Sequence, residues 1–109
     1  MSRPITVTPT RRVTLGRLSE FGFTVNAVLT AEAAPGAVVL TLREDGLENY
    51  AELVRFARRN KMQILQVRKD GGGSFVELPS YLLSRAGFVP GNIFELFAEF
   101  GCIQLREPL

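Results

Sequence analysis

Sliding the sequence along itself by 65 residues brings Gly22-Phe23 onto Gly87-Phe88, and no other property of the chain narrows its fold as much. In that register Leu18 meets Leu83, Ser19 meets Ser84, Ala33 meets Ala98, Gly36 meets Gly101 and Leu40 meets Leu105, seven identities over 23 positions. Chance at average composition supplies roughly one or two, so the chain reads as a duplicated unit. Val28 on Ile93 and Val38 on Ile103 keep the apolar pattern in step. Upstream, Val13 and Leu15 match Val76 and Leu78 at an offset of 63, and Ile5-Thr6-Val7 resembles Leu65-Gln66-Val67. The copies differ in one connection, Thr8 to Arg12 in the first and Arg68 to Phe75, with Gly71-Gly72-Gly73, in the second.

The unit is clearest in the second copy, from Ser74 to Glu107. Val76 and Leu78 on either side of Glu77 suit a half-buried strand. Pro79 stops it, because it lacks an N–H and fixes φ, and suits the first turn of a short helix over Ser80 to Arg85. Gly87 permits a left-handed exit. Pro90-Gly91 marks a turn, and the apolar runs Ile93 to Phe97 and Cys102 to Leu105 pair as a hairpin through Glu99-Phe100-Gly101. The first copy runs from Ile5 to about Leu42, with Gly16 to Glu20 in its short helix and a hairpin turn at Pro35-Gly36.

Between the copies, Arg43-Glu44-Asp45-Gly46 reads as a solvated turn, with Asp45 or Asn49 as the cap of a helix. Leu47, Tyr50, Leu53, Val54 and Ala57 recur at three- and four-residue steps, which predicts an amphipathic helix over 47–60. Arg55, Arg58, Arg59 and Lys61 at its end favour the negative pole of the helix dipole, as phosphate ligands or simply as solvated charges. Met62 to Arg68 reads as a strand and Arg68 to Gly73 as a flexible hairpin tip. Its glycines lie between two strands without the spacing of a nucleotide-binding loop.

A chain of 109 residues with 46% hydrophobic content buries one modest core, so one domain is expected. With no histidine and one cysteine, the sequence offers no imidazole base, no intramolecular disulfide and no thiolate cluster for zinc. Cys102 reads as a buried small hydrophobe. No metal or cofactor is expected. No apolar run approaches the roughly 18 residues of a membrane span, and Met1-Ser2-Arg3-Pro4 leads into a strand pattern, so a soluble, cytoplasmic protein without a membrane partner is expected. The net charge of +2 is unevenly spread. Residues 1–42 carry +2, residues 43–61 carry +1 and residues 62–109 carry −1.

The order V-x-L-P, L-L-x-x-A-G-F, P-G-x-x-F-E-L and G-C-I-x-L within Phe75 to Arg106 resembles the swapped-hairpin half-barrel unit of the AbrB and MazE families. Ala86 to Phe88 and Gly101 to Ile103 are most similar to SymE, a bacterial toxin type related to the MazE antitoxins, whereas Pro79 is more like AbrB. The resemblance covers the second copy well and the first more loosely, and leaves the middle helix unexplained. It implies a mainly β fold with short helices, in which two units exchange hairpins to close a small barrel. Two copies in one chain then form an intramolecular pseudo-dimer. Residues 1–42 and 62–109 are the two repeats, and residues 43–61 hold one bridging amphipathic helix.

The resemblance further implies a bacterial or phage-encoded protein that binds DNA or RNA through basic hairpin residues. The matching positions are Arg11, Arg12 and Arg17 in the first copy and Arg68 and Lys69 in the second, with Arg58, Arg59 and Lys61 extending the patch. Solvated arginines that discourage edge-to-edge association are the alternative. SymE-like toxins act on RNA, which implies an endoribonuclease. Glu20, Glu77, Tyr81 and Arg85 offer the chemical types, but nothing in the sequence brings them together. The second class is a transcriptional regulator or antitoxin acting through DNA and a protein partner. Such antitoxins usually carry a long tail, and here four residues follow Leu105, which argues against that class. A homodimer and a protein partner remain open.

Overall fold

Period-two apolar patterning and glycine-marked turns account for most of the secondary structure in the computed structural model, which describes residues 2–6, 12–14, 16–44, 48–71, 73–89 and 93–107. The first half contains β1 (Ser2–Thr6), β2 (Arg12–Thr14), a 3-10 helix (Gly16–Phe21), β3 (Val28–Ala34) and β4 (Ala37–Leu42). After α1 (Tyr50–Arg59), the second half contains β5 (Gln63–Gln66), β6 (Arg68–Asp70), β7 (Gly73–Glu77), α2 (Ser80–Ala86), β8 (Ile93–Glu99) and β9 (Cys102–Arg106). The protein is mainly β. No helix among the described residues is long and apolar enough to cross a membrane.

Local chemistry sets the boundaries. Pro79 sits at the N-cap of α2, one position before the first turn, and Gly87 leaves the helix in the left-handed region at φ +81°. Asn49 occupies the N-cap of α1 without a side-chain capping bond; Asp45, the other cap candidate, lies outside the described residues, as do Leu47 and Pro90-Gly91. The β3–β4 and β8–β9 hairpins close on two-residue turns, Pro35-Gly36 and Phe100-Gly101, with Ala34 opposite Ala37 and Glu99 opposite Cys102.

Gly22 and Gly87 occupy equivalent left-handed positions in unequal surroundings. A Cβ at Gly22, at φ +93°, would lie 2.6 Å from Leu42 Cδ2, whereas one at Gly87 would meet nothing within 4 Å. Gly87→Ala is expected to cost about 1–2 kcal/mol through the backbone alone. Gly22→Ala should lose roughly 1 kcal/mol more, because the Leu42 side chain has to give way. Thermal melts of the two variants check this; equal losses would contradict the packing at Gly22.

Six strands form one sheet in the order β1-β8-β9-β4-β3-β5, and three form a smaller one in the order β2-β7-β6. Every pairing is antiparallel. Leu29, Val38, Leu40, Leu96, Ile103 and Leu105 point from the large sheet into a core that Val13, Val76 and Leu78 fill from the small-sheet side, with Leu82, Leu83 and Ala86 of α2. Helix α1 covers the opposite face at the β3–β5 end. Thr30, whose neighbours Leu29 and Ala31 face the core, is buried there and accepts a hydrogen bond from Arg43, which stacks on Phe56 of α1.

The pairing is reciprocal between the halves. Strand β1 of the first half pairs with β8 of the second, and β5 of the second pairs with β3 of the first. In the β4–β9 seam, Val38 faces Leu105 and Leu40 faces Ile103 on either side of the pair Val39–Gln104. In the small sheet Val13 faces Val76. The loops follow suit: Gly101 N–H donates to Phe21 C=O at 2.8 Å, and Gly36 N–H to Ala86 C=O at 2.9 Å. Leu42 N–H donates to Gly101 C=O and Glu107 N–H to Gly36 C=O, at 2.8 and 3.3 Å. The seam and loop contacts turn into their partners at the 65-residue offset, the Val13–Val76 pair maps onto itself at 63, and β1 corresponds to β5 at 60.

Three expectations need correcting. The barrel is not closed among the described residues: the large sheet is open, with β1 and β5 at its edges. In the second half, Val67 divides the strand expected over Met62 to Arg68 into β5 and β6. Its N–H donates to Ala27 C=O and its C=O accepts from Asn26 N–H, both at 2.9 Å, and these bonds hold the chain where it passes from the large sheet to the small one. Cys102 is only partly buried, on the face of β9 opposite Ile103. Desolvation by the surrounding protein pushes its thiol above the usual range, and the charge of Glu99 pushes the same way.

Candidate nucleic-acid interface

The small sheet gathers three of the cations expected from the sequence. Arg12 stands on β2, and Arg68 and Lys69 on β6, with β7 between them. Their roles differ. Arg12 Nη1 lies 2.6 Å from Asp70 Oδ2, and its guanidinium covers the Phe75 ring at 4.2 Å from the centroid. It therefore ties the two outer strands together across the middle one. Both partners are over 40% exposed, so the ion pair contributes about 0.2–1 kcal/mol, and the ring contact about 0.5–1 kcal/mol. Arg68 and Lys69 are exposed and form no ion pair among the described residues.

A second group lies on α1. Leu53 and Ala57 are buried, which turns Arg55, Arg58 and Arg59 outward, and Lys61 comes just beyond the helix. Tyr50, at the other end of α1, lines a cleft of about 620 Å³ together with Arg68, Glu77 and Ile64. The two cationic groups thus lie toward opposite ends of the helix, with roughly 13 Å of rise from Tyr50 to Arg59. Arg17 belongs to the 3-10 helix, but its side chain, like the whole of Arg11, lies outside what the structure describes.

Arg43 lies closer to the basic face of α1 than the sequence suggested. Arg43, read as part of a solvated turn, is half-buried beneath α1: Nε donates to Thr30 Oγ1 at 3.1 Å, and the guanidinium lies 5.0 Å from the Phe56 centroid. Arg55 and Arg59, one turn apart, line the same cavity as Arg43. The four-residue spacing of Arg55 and Arg59 was legible as one helix face. Nothing in the sequence indicated that the end of β4 would run under it.

Glu20 stands on the 3-10 helix, Glu77 on β7, and Tyr81 and Arg85 on α2. The Tyr81 hydroxyl donates to Gln63 Oε1 at 2.7 Å, and Glu20 and Arg85 are exposed on separate helices. No group of three or more His, Cys, Asp or Glu able to hold a metal occurs among the described residues. Comparison with protein-family models, curated proteins and solved structures finds no match in any of the three.

Proposed function

We propose that the chain is a cytoplasmic nucleic-acid-binding protein of the AbrB/MazE swapped-hairpin kind, resembling SymE-type toxins and folded as an intramolecular pseudo-dimer. The reciprocal pairing of β1 with β8 and of β5 with β3 supports the exchange of hairpins between two halves of one polypeptide. One observation carries the binding reading: Arg58, Arg59, Lys61, Arg68 and Lys69 are all exposed and form no ion pair among the described residues, whereas Arg12 is engaged by Asp70. Unpaired cations fixed on rigid elements suit phosphate oxygens, which report backbone geometry and not sequence. These cations support binding; the RNA cleavage that the resemblance to SymE-type toxins implies is a separate proposal, tested by incubating RNA with the protein in the presence of a chelator.

Binding to duplex DNA and to single-stranded RNA across a salt series tests the reading. Affinity should fall with salt, and the Arg68→Ala/Lys69→Ala variant should bind more weakly, with the slope against log salt reduced by about 0.9 per lost duplex contact or about 0.7 per lost single-strand contact. Arg12→Ala should leave the slope unchanged, because its charge is already held by Asp70. Absence of binding to either nucleic acid at low salt would refute the proposal.

A further inference from the structure

A cavity of about 500 Å³ lies where the end of β4 meets α1, and three guanidinium groups line it: Arg43, Arg55 and Arg59. Arg43 is fixed from both ends. Its backbone N–H donates to Val28 C=O at 2.9 Å, its Nε donates to Thr30 Oγ1, and Phe56 covers one face of the guanidinium. The remaining contact, Nη2 to Met62 Sδ at 4.0 Å, involves a weak acceptor, so donors of a half-buried cation are left without an oxygen partner among the described residues. Burying charge in that state is costly. Arg55 and Arg59 project from one helix face and form no ion pair among the described residues, and neither does Glu52, the carboxylate on the same wall. The lining as a whole, with Arg43, Arg55 and Arg59 against Glu52, therefore carries an excess of two positive charges.

We propose that this cavity is a phosphate-binding site, with Arg43 as a preset floor and Arg55 and Arg59 as arms that close on the anion. Guanidinium groups present paired donors that match phosphate oxygens, and a side chain already held in place loses less freedom on binding than one recruited from solvent. A phosphorylated small molecule and the terminal phosphate of a nucleic acid share this chemistry. The site shares Arg59 with the cations of the nucleic-acid reading, but Arg43 and Arg55 are not among those cations and Arg68 and Lys69 do not line it, so the two readings can be tested apart.

Calorimetric titration of the full chain with pyrophosphate at low salt tests the proposal, with thermal melts confirming that each variant is folded. Wild type and Arg68→Ala/Lys69→Ala should bind at a single saturable site. Arg43→Gln, and separately the exposed pair Arg55→Gln/Arg59→Gln, should weaken binding by about tenfold or more. No saturable binding by wild type, or unaltered binding by the folded Arg55→Gln/Arg59→Gln variant, would overturn the site. A second titration in the presence of a 5′-phosphorylated oligonucleotide assigns the source of the phosphate. Competition supports the site as a nucleic-acid phosphate pocket, and unchanged pyrophosphate binding supports it as a small-molecule one. Oligonucleotide binding without pyrophosphate binding would overturn the pocket and leave the nucleic-acid reading standing; the converse would do the reverse.

Discussion

Leu40→Ala is expected to destabilise the protein by about 2–5 kcal/mol, the range for emptying a fully buried leucine site. Leu40 has no exposed surface and faces Ile103, also fully buried, across the β4–β9 seam. That seam is where the strands of the two halves meet in the middle of the large sheet. A cavity there removes contacts from both halves at once, with little room for collapse, since Val38, Leu96 and Leu105 around it are fully buried as well. Against a total stability of about 5–15 kcal/mol, a loss of this size leaves a marginal protein. Urea unfolding should show the midpoint falling by on the order of 1 M or more. Val89→Ala, at a position 58% exposed, serves as the control and should stay within about 0.5 kcal/mol. A Leu40→Ala loss below about 1 kcal/mol would contradict the seam as described.

The larger effect should come from cutting the chain. Fragments ending at Glu44 and beginning at Glu48 are each expected to be unfolded as monomers, and to regain structure when mixed. Among the described strands, β3–β4, β6–β7 and β8–β9 pair within one fragment, and all three are local hairpins. The pairings β1–β8, β2–β7, β3–β5 and β4–β9 all cross the cut. A lone hairpin is marginal in water, because its apolar face stays wet while its backbone still loses entropy. Joining the halves covalently makes their association intramolecular, at an effective concentration of millimolar order for a short connection. Amide dispersion in NMR spectra of each fragment, alone and mixed, reads the outcome. A well-dispersed monomeric spectrum from either fragment alone would show that its half does not need the other.

The individual elements were legible because their signals are local. Pro79 and Gly87 bracket α2 through one missing N–H and one left-handed φ, and the turns at Gly36 and Gly101 obey the same logic. The apolar steps through Leu53 and Ala57 placed α1, and their burial matches that spacing. The candidate site was only half legible. Exposed arginines at the end of a helix can be read from order alone, but whether a given cation is free cannot. Arg12 and Asp70 are 58 residues apart and meet only because β2 and β6 flank the same strand. Arg43 is a turn residue by sequence and a half-buried guanidinium by position.

Periodicity and turn chemistry act over a few residues, so the sequence alone was enough for most of the elements, though not for the division of the Met62 to Arg68 strand, and for the sign of the charge on α1. Partnership across the chain was decided only by the tertiary structure. The pairing of β1 with β8 and of β5 with β3, the passage from one sheet to the other at Val67, and the convergence of Arg43 with Arg55 and Arg59 each join residues that no local rule connects. The physical reason is that burial is collective: a strand's inward face is specified by its own alternation, but which strand lies beside it depends on the arrangement that removes the apolar faces of both halves from water together.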